Sequence, residues 1–251
     1  MQGKKFYVGL GVLVLVIALV DVVYFSRLAV AEAPAEAPAA EVAEAAPAAE
    51  AVAAPATPTA PSPMGTCEYD QNVPAVENYE QLVTFSDPFE GNASSGVQVL
   101  EFFDPNCPHC KTMHPIMKRV IATHGDQAQF FMIPFIVFPQ SLNQIEALYV
   151  AAQDGKFSEM IDAQFAVQKS SGLSIQELAS IAADLGMDPE VFTQRVSRGL
   201  NRSMIASRRE QIRSLGVGGV PTVMINGRLI RSEAKTVACL QEMIEAAAPA
   251  D

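Results

Sequence analysis

Two cysteines separated by Pro108-His109 stand where a strand hands over to a helix, and that junction limits what this chain can fold into more than any other stretch. Before Cys107, Val97-Gln98-Val99-Leu100-Glu101-Phe102-Phe103 is β-branched and aromatic, the composition of a buried strand. After Cys110, Lys111 to Thr123 places Met113, Ile116, Met117, Val120 and Ile121 at helical spacing. Pro108 suits the first helical turn, where its missing N–H costs nothing. A Cys-x-x-Cys pair at a helix N-terminus is the geometry of a reversible disulfide. Only the thiolate is nucleophilic, and a helix N-terminus favours negative charge by up to ~2 kcal/mol in partly buried settings. The more the thiolate is favoured, the better it leaves a mixed disulfide and the more oxidising the pair becomes. The spacing predicts redox chemistry, and Pro-His between the cysteines points towards an oxidant.

The rest of the chain narrows where such chemistry operates. Its 251 residues suffice for one large domain or two small ones. A formal net charge of -11 leaves a nucleic-acid role without electrostatic support. The four cysteines are too few for a disulfide scaffold in a chain long enough to bury a core. Lys4-Lys5 precede an apolar run from Phe6 to Phe25 broken only by Asp21. About 20 apolar residues match a bilayer crossing. With lysines before the run and acidic residues dominating beyond Arg27, the positive-inside bias leaves the remainder outside the cytoplasm. Residues 1–28 are expected to be a transmembrane anchor, the other reading being a signal peptide cleaved near Ala31. Either way the domain is exported to a compartment where disulfides persist. Residues 29–66 are mostly Ala, Pro and Glu, too poor in large apolar groups to offset ordering entropy, which predicts a disordered, extended linker.

The folded part is expected over residues 67–251. Gly91 to Gly96 reads as a polar turn before the strand of the cysteine motif, and Gln129 to Ile133 as a second strand closing at Pro134. An all-helical insertion follows, about residues 139–214. Its helices are expected at Asn143 to Gln153, around Phe157 to Phe165, after a Ser174–Glu177 capping box, and from Asp188-Pro189 onward. Strand signals return at Thr222 to Ile225, with an Asn226-Gly227 hairpin and a short strand to Ile230. A last helix is expected from about Glu233 to Ala247.

These residues resemble a known family. The Val99–Phe103 strand, Cys107-Pro108-His109-Cys110, Lys111 and the in-helix Pro115 look like the active-site strand and helix of the thioredoxin superfamily. Gly216-Val217-Gly218-Gly219-Val220-Pro221-Thr222 resembles that family's cis-proline loop. The Pro-His dipeptide and the helical insertion make DsbA-like thiol:disulfide oxidoreductases the nearest kind. The resemblance implies an α/β thioredoxin fold with an inserted helical subdomain. It makes Cys107 the solvent-facing attacking thiol and Cys110 the buried partner that resolves the mixed disulfide. It implies that Val220-Pro221 is cis and lies against the disulfide, where a client strand pairs with the loop. Glu101 matches a buried acid that assists proton transfer near Cys110; its other reading is a charge at the strand edge facing water. No cofactor or metal is implied. The partners implied are exported client proteins and a membrane redox partner linked to quinone, with the enzyme held at the cell inner membrane and facing the periplasm.

Other readings stay open at this level. The same fold serves reductases and isomerases, and Asp104-Pro105-Asn106 fits those equally well. A metallochaperone using Cys107, Cys110 and His114 is the alternative from another class, with Met113 and His114 suited to copper; a zinc site lacks evident further ligands. Cys67 and Cys239 are available to pair in an oxidising compartment, or Cys239 is a small buried hydrophobe. His124 sits at a helix end, a place for a positive charge. Arg195, Arg198, Arg202, Arg209 and Arg213 recur at helical spacing and read as a solvated basic face.

Overall fold

In the computed structural model, residues 66–248 are described. The expected anchor and all but the last residue of the expected linker lie outside them. Among the described residues no helix is long and apolar enough to cross a membrane.

Five strands form one mixed sheet: β1 (Phe89–Gly91), β2 (Gln98–Phe103), β3 (Gln129–Pro134), β4 (Thr222–Ile225) and β5 (Arg228–Leu229), in the order β1-β3-β2-β4-β5. Strands β2 and β3 are parallel, with Val99 opposite Phe130 and Phe103 opposite Pro134. A parallel pair needs a crossover, here α1 (Pro108–His124). Strand β4 lies antiparallel on the other side of β2, setting Glu101 opposite Val223. The hairpin to β5 turns at Asn226 and Gly227, both at positive φ. A side chain at Gly227 would meet the carbonyl oxygen of Val76 at 2.5 Å, so the turn requires glycine.

Alternation along β2 sends Val99, Glu101 and Phe103 to one face and Leu100 and Phe102 to the other. The second face is packed by Phe131, Ile133, Met224, Leu82 and Val217. On the first, Val99 packs with Met113, Met117 and Val120 of α1 and with Leu240 and Ile244 of α7 (Val237–Ala247). Between β3 and β4 the chain forms α2 (Leu142–Ala152), α3 (Phe157–Ala166), α4 (Ile175–Asp184), α5 (Pro189–Arg198) and α6 (Arg202–Ser214). Their own core includes Leu148, Met160, Leu178 and Phe192, and it runs without a break onto Phe103, Cys107 and Cys110. The thiol pair therefore packs at the seam between sheet and helical insertion.

Local chemistry sets the helix ends. Ser174 and Glu177 form a reciprocal capping box on α4, and Asp188 Oδ1 accepts from the backbone of Glu190 and Val191 at 2.9 and 3.0 Å to start α5. Such caps contribute about 1 kcal/mol each. The last helix opens later than its composition suggested, because the Thr236 hydroxyl accepts from the Cys239 N–H and caps it there. Residues Ser232–Ala234 form a separate 3-10 turn. Strand β1 was not expected: three residues carry no periodic signal, and its place comes from pairing with β3 and from Phe89 against Phe131 at 5.8 Å.

Two ties were left open or missed. Cys67 and Cys239 form a disulfide with Cα atoms 5.0 Å apart, joining the first described residues to α7. Arg208, outside the basic stripe read from sequence, is buried and forks onto Asp87 at 2.6 and 2.6 Å while donating to the Tyr149 hydroxyl at 2.9 Å. From that stripe, Arg195 reaches Asp154, Gln153 and the Val150 carbonyl.

Candidate active site

The turn between β2 and α1 is held from inside. Asp104 is fully buried, and its carboxylate accepts from the Asn106, Val137 and Phe138 N–H groups and the Ser141 hydroxyl at 2.5–3.0 Å. Asn106 Nδ2 donates to Ser141 Oγ at 2.9 Å. From just beyond α3, Gln168 Nε2 donates to the carbonyls of Pro105 and Cys107 at 2.8 and 3.1 Å. Cys107 is the N-cap of α1 and Pro108 its first residue. The Cys107 side chain thus stands at the N-terminus of α1, where the first N–H groups of a helix have no intrahelical partner, and its sulfur makes no side-chain cap bond to them.

Across the fold, the Val220–Pro221 peptide is cis. The Val220 carbonyl oxygen lies 3.7 Å from Cys107 Sγ, which donates to it. The Thr222 hydroxyl donates to the Gly219 carbonyl at 2.8 Å and closes the loop. Both cysteines carry free thiols and both are buried, Cys107 at 4% exposure and Cys110 at 0%. This corrects the expectation of a solvent-facing Cys107: Phe103 and Val220 pack in the same cluster and cover it. The exposed residues of the motif are Pro108 and His109.

Glu101 lies on the sheet face beneath Cys110, not at a solvated edge, with 1% exposure. Burial pushes its carboxyl up to about 8, and the Lys235 ammonium opposes that rise. One carboxyl oxygen, Oε2, has no hydrogen-bond partner. Burial also drives the Cys110 thiol far above the ordinary range, helped by Cys107 and Glu101 and opposed by the Asp104 backbone N–H. Lys235 follows the Ser232–Ala234 turn, and its Nζ donates to the Pro221 carbonyl at 2.5 Å. Burial lowers its pKa, while Cys110 and Glu101 pull it back up.

The fold therefore brings Cys107, Cys110, Glu101, Val220 and Pro221 together. Other candidates are placed elsewhere. His114 faces α3, with Nε2 2.6 Å from Asp162 Oδ1, and His124 reaches Glu245 at 3.1 Å. Among the described residues no group of three or more His, Cys, Asp or Glu side chains is placed to hold a metal ion. Sequence reasoning named Asp104 only as part of the lead-in to the motif, without its anchoring role, and missed Gln168 and Lys235. Asp104 carried a signal, an acid beside proline directly after a buried strand; a lone glutamine and a lone lysine far along the chain carried none.

A mixed sheet crossed by a Cys-x-x-Cys helix and faced by a cis-proline defines the thioredoxin class. The thioredoxin family's sequence profile matches residues 84–246, and the chain belongs to that family. Within the superfamily it is similar to DsbA proteins. The thiol:disulfide interchange protein DsbA of Burkholderia cepacia is 24% identical over 135 residues, spanning 53% of this chain and 64% of that protein. In fold the chain is similar to the thiol-disulfide exchange protein alpha-DsbA2 of Wolbachia pipientis, at TM-score 0.59 and 22% identity over 67% of this chain and 91% of that one. It is likewise similar to a thioredoxin-like oxidoreductase of Silicibacter pomeroyi, at TM-score 0.60 and 21% identity over 68% of this chain and 98% of that one.

Proposed function

We propose that the protein is an exported thiol:disulfide oxidoreductase that passes a Cys107–Cys110 disulfide to the thiols of other exported proteins. The observation that carries this reading is the Cys107 thiol at the first turn of α1, 3.7 Å from the carbonyl before a cis-proline. A client thiolate attacks Cys107 Sγ, the Cys107–Cys110 bond breaks, and Cys110 leaves with the electron pair. The client's second thiolate then attacks the client sulfur of the mixed disulfide, and Cys107 leaves as thiolate. The client gains one disulfide and loses two electrons; the enzyme ends as a dithiol. Because both thiols are buried, the client enters beside the exposed Pro108, His109 and Gly218. An extended client backbone suits the open loop edge ahead of Pro221. Glu101, protonated at neutral pH, is the acid that neutralises the Cys110 thiolate.

The oxidising direction rests on the Pro108-His109 pair at a helix start. A membrane anchor in residues 1–28, a linker over 29–66 and a quinone-linked membrane partner complete the reading, with the catalytic domain in the periplasm. Titrating the pair against a glutathione redox buffer tests it, with Cys107→Ser as the inactive control. A potential near the about -120 mV of strong oxidants supports the direction, and one near the about -270 mV of thioredoxin reverses it. A Cys107→Ser protein that still oxidises thiols removes the mechanism altogether.

A further inference from the structure

Among the described lysines, Lys118, Lys156 and Lys169 each pair with a carboxylate at the surface. Lys111 donates to the Ala166 carbonyl from an exposed position, and Lys235 differs from all four. It is half-buried, and its ammonium donates to a backbone carbonyl, that of the cis-proline, at 2.5 Å. Turning a lysine inward costs side-chain freedom as well as desolvation, so an ammonium held there needs compensating partners. Its hydrogen-bond partner is the Pro221 carbonyl, and the ionisable groups that act on it through space are Cys110, Glu101 and Glu233.

We propose that Lys235 is a positioning residue of the exchange site: one ammonium holds the cis-proline loop by its carbonyl and faces the buried Glu101 carboxyl and Cys110 thiol. The proposal rests on the exchange reading above and adds a residue to it. When a client thiolate bonds to Cys107, the Cys107–Cys110 bond breaks and Cys110 keeps the electron pair. A proton then passes from the Glu101 carboxyl to Cys110. The pocket carries one negative charge throughout, first on sulfur and then on the carboxylate. Lys235 gives up no proton; it offsets that charge at both stations. The same hydrogen bond fixes the Pro221 carbonyl, so the docking edge for a client and the charge on the buried pair answer to a single side chain. The groups facing this chemistry are Glu101 from β2, Cys110 and Cys107 from α1, the Asp104 N–H from the β2–α1 turn, and Glu233 beside Lys235.

The test uses the full chain carrying Lys235→Met or Lys235→Arg. Carbon-13 NMR of the Glu101 side-chain carbonyl follows its titration directly, with no need of activity. Single-turnover reaction of the oxidised protein with a cysteine peptide, from pH 5 to 9, follows exchange. Lys235→Met should move the Glu101 titration upward and slow peptide exchange at neutral pH by about ten-fold or more, the effect of losing one facing charge in a poorly solvated site. Lys235→Arg, which keeps the charge and the donor, should restore both to within about three-fold of the parent. A Glu101 titration unmoved in the Met variant overturns the proposal, as does an Arg variant as impaired as the Met one. If the parent reacts with no cysteine peptide while the Glu101 titration still moves in the Met variant, the exchange reading fails and the placement of Lys235 beside the acid stands.

Discussion

Glu101→Gln should stabilise this protein, and the gain should grow with pH. In the folded chain the carboxyl is held at about 8 by burial, against an ordinary value of 4.5. Between these values the folded state keeps a proton that the unfolded chain has released. The folded pKa is the higher one, so the contribution of Glu101 to stability is complete below about pH 4.5 and is lost as pH rises through about 8. The slope is about 1.4 kcal/mol per pH unit, which gives a cost of about 3 kcal/mol at pH 7 and about 5 kcal/mol above pH 9. Glutamine has nearly the same shape and does not titrate, so this cost disappears in the variant. The assay is denaturant unfolding of both proteins in one redox state at half-unit intervals from pH 5 to 9, which leaves the Cys67–Cys239 disulfide common to both. The difference should be small at pH 5 and reach several kcal/mol at pH 9. A difference that stays flat across the range refutes the reasoning, because it means Glu101 does not change protonation on unfolding there.

Three further outcomes follow from the same geometry. Replacing Cys67 and Cys239 by serine opens a crosslink between residues 172 apart; the chain-entropy relation gives a loss of about 5 kcal/mol, read as a lower unfolding midpoint. Asp87→Asn leaves the buried Arg208 guanidinium without its charge partner and should cost about 3–5 kcal/mol, whereas replacing Asp87 and Arg208 together by apolar residues should cost far less. Asp104→Ala leaves its four donors at the site unpaired. It should lower stability by more than about 3 kcal/mol and loosen the β2–α1 turn, seen as faster amide exchange at Asn106, Val137 and Phe138.

How much of this was legible beforehand depends on the range over which each signal acts. The β2 and α1 segments announce themselves through local composition and period, and the Cys-x-x-Cys motif marks their junction. The caps at Ser174 and Asp188 are equally local. Strand β1 escaped because three residues between polar turns have no period to read; its identity comes from the partner strand. Arg208 escaped because a single arginine beside others at helical spacing looks like solvated surface, and only its approach to Asp87, 121 positions away in sequence, makes it interior. The exposure of Cys107 was misjudged for a related reason: the sequence places it at a helix start, but the cover over it comes from the distant Val220 loop and from the seam with the helical insertion.

By itself, then, the chain's sequence determined the redox pair, the helix that begins at it, the acid on the strand behind and the order of strand, helix and insertion, because these depend on neighbours a few residues apart. The tertiary structure alone decided the electrical setting of the site. Glu101 becomes a reluctant acid only when α1 and α7 close over the sheet and remove water from it. Lys235 becomes its counter-charge only when the segment leading into α7 folds back against Pro221. Both effects arise from desolvation and from charges set at close range by long-range packing, and neither is written in the spacing of any motif.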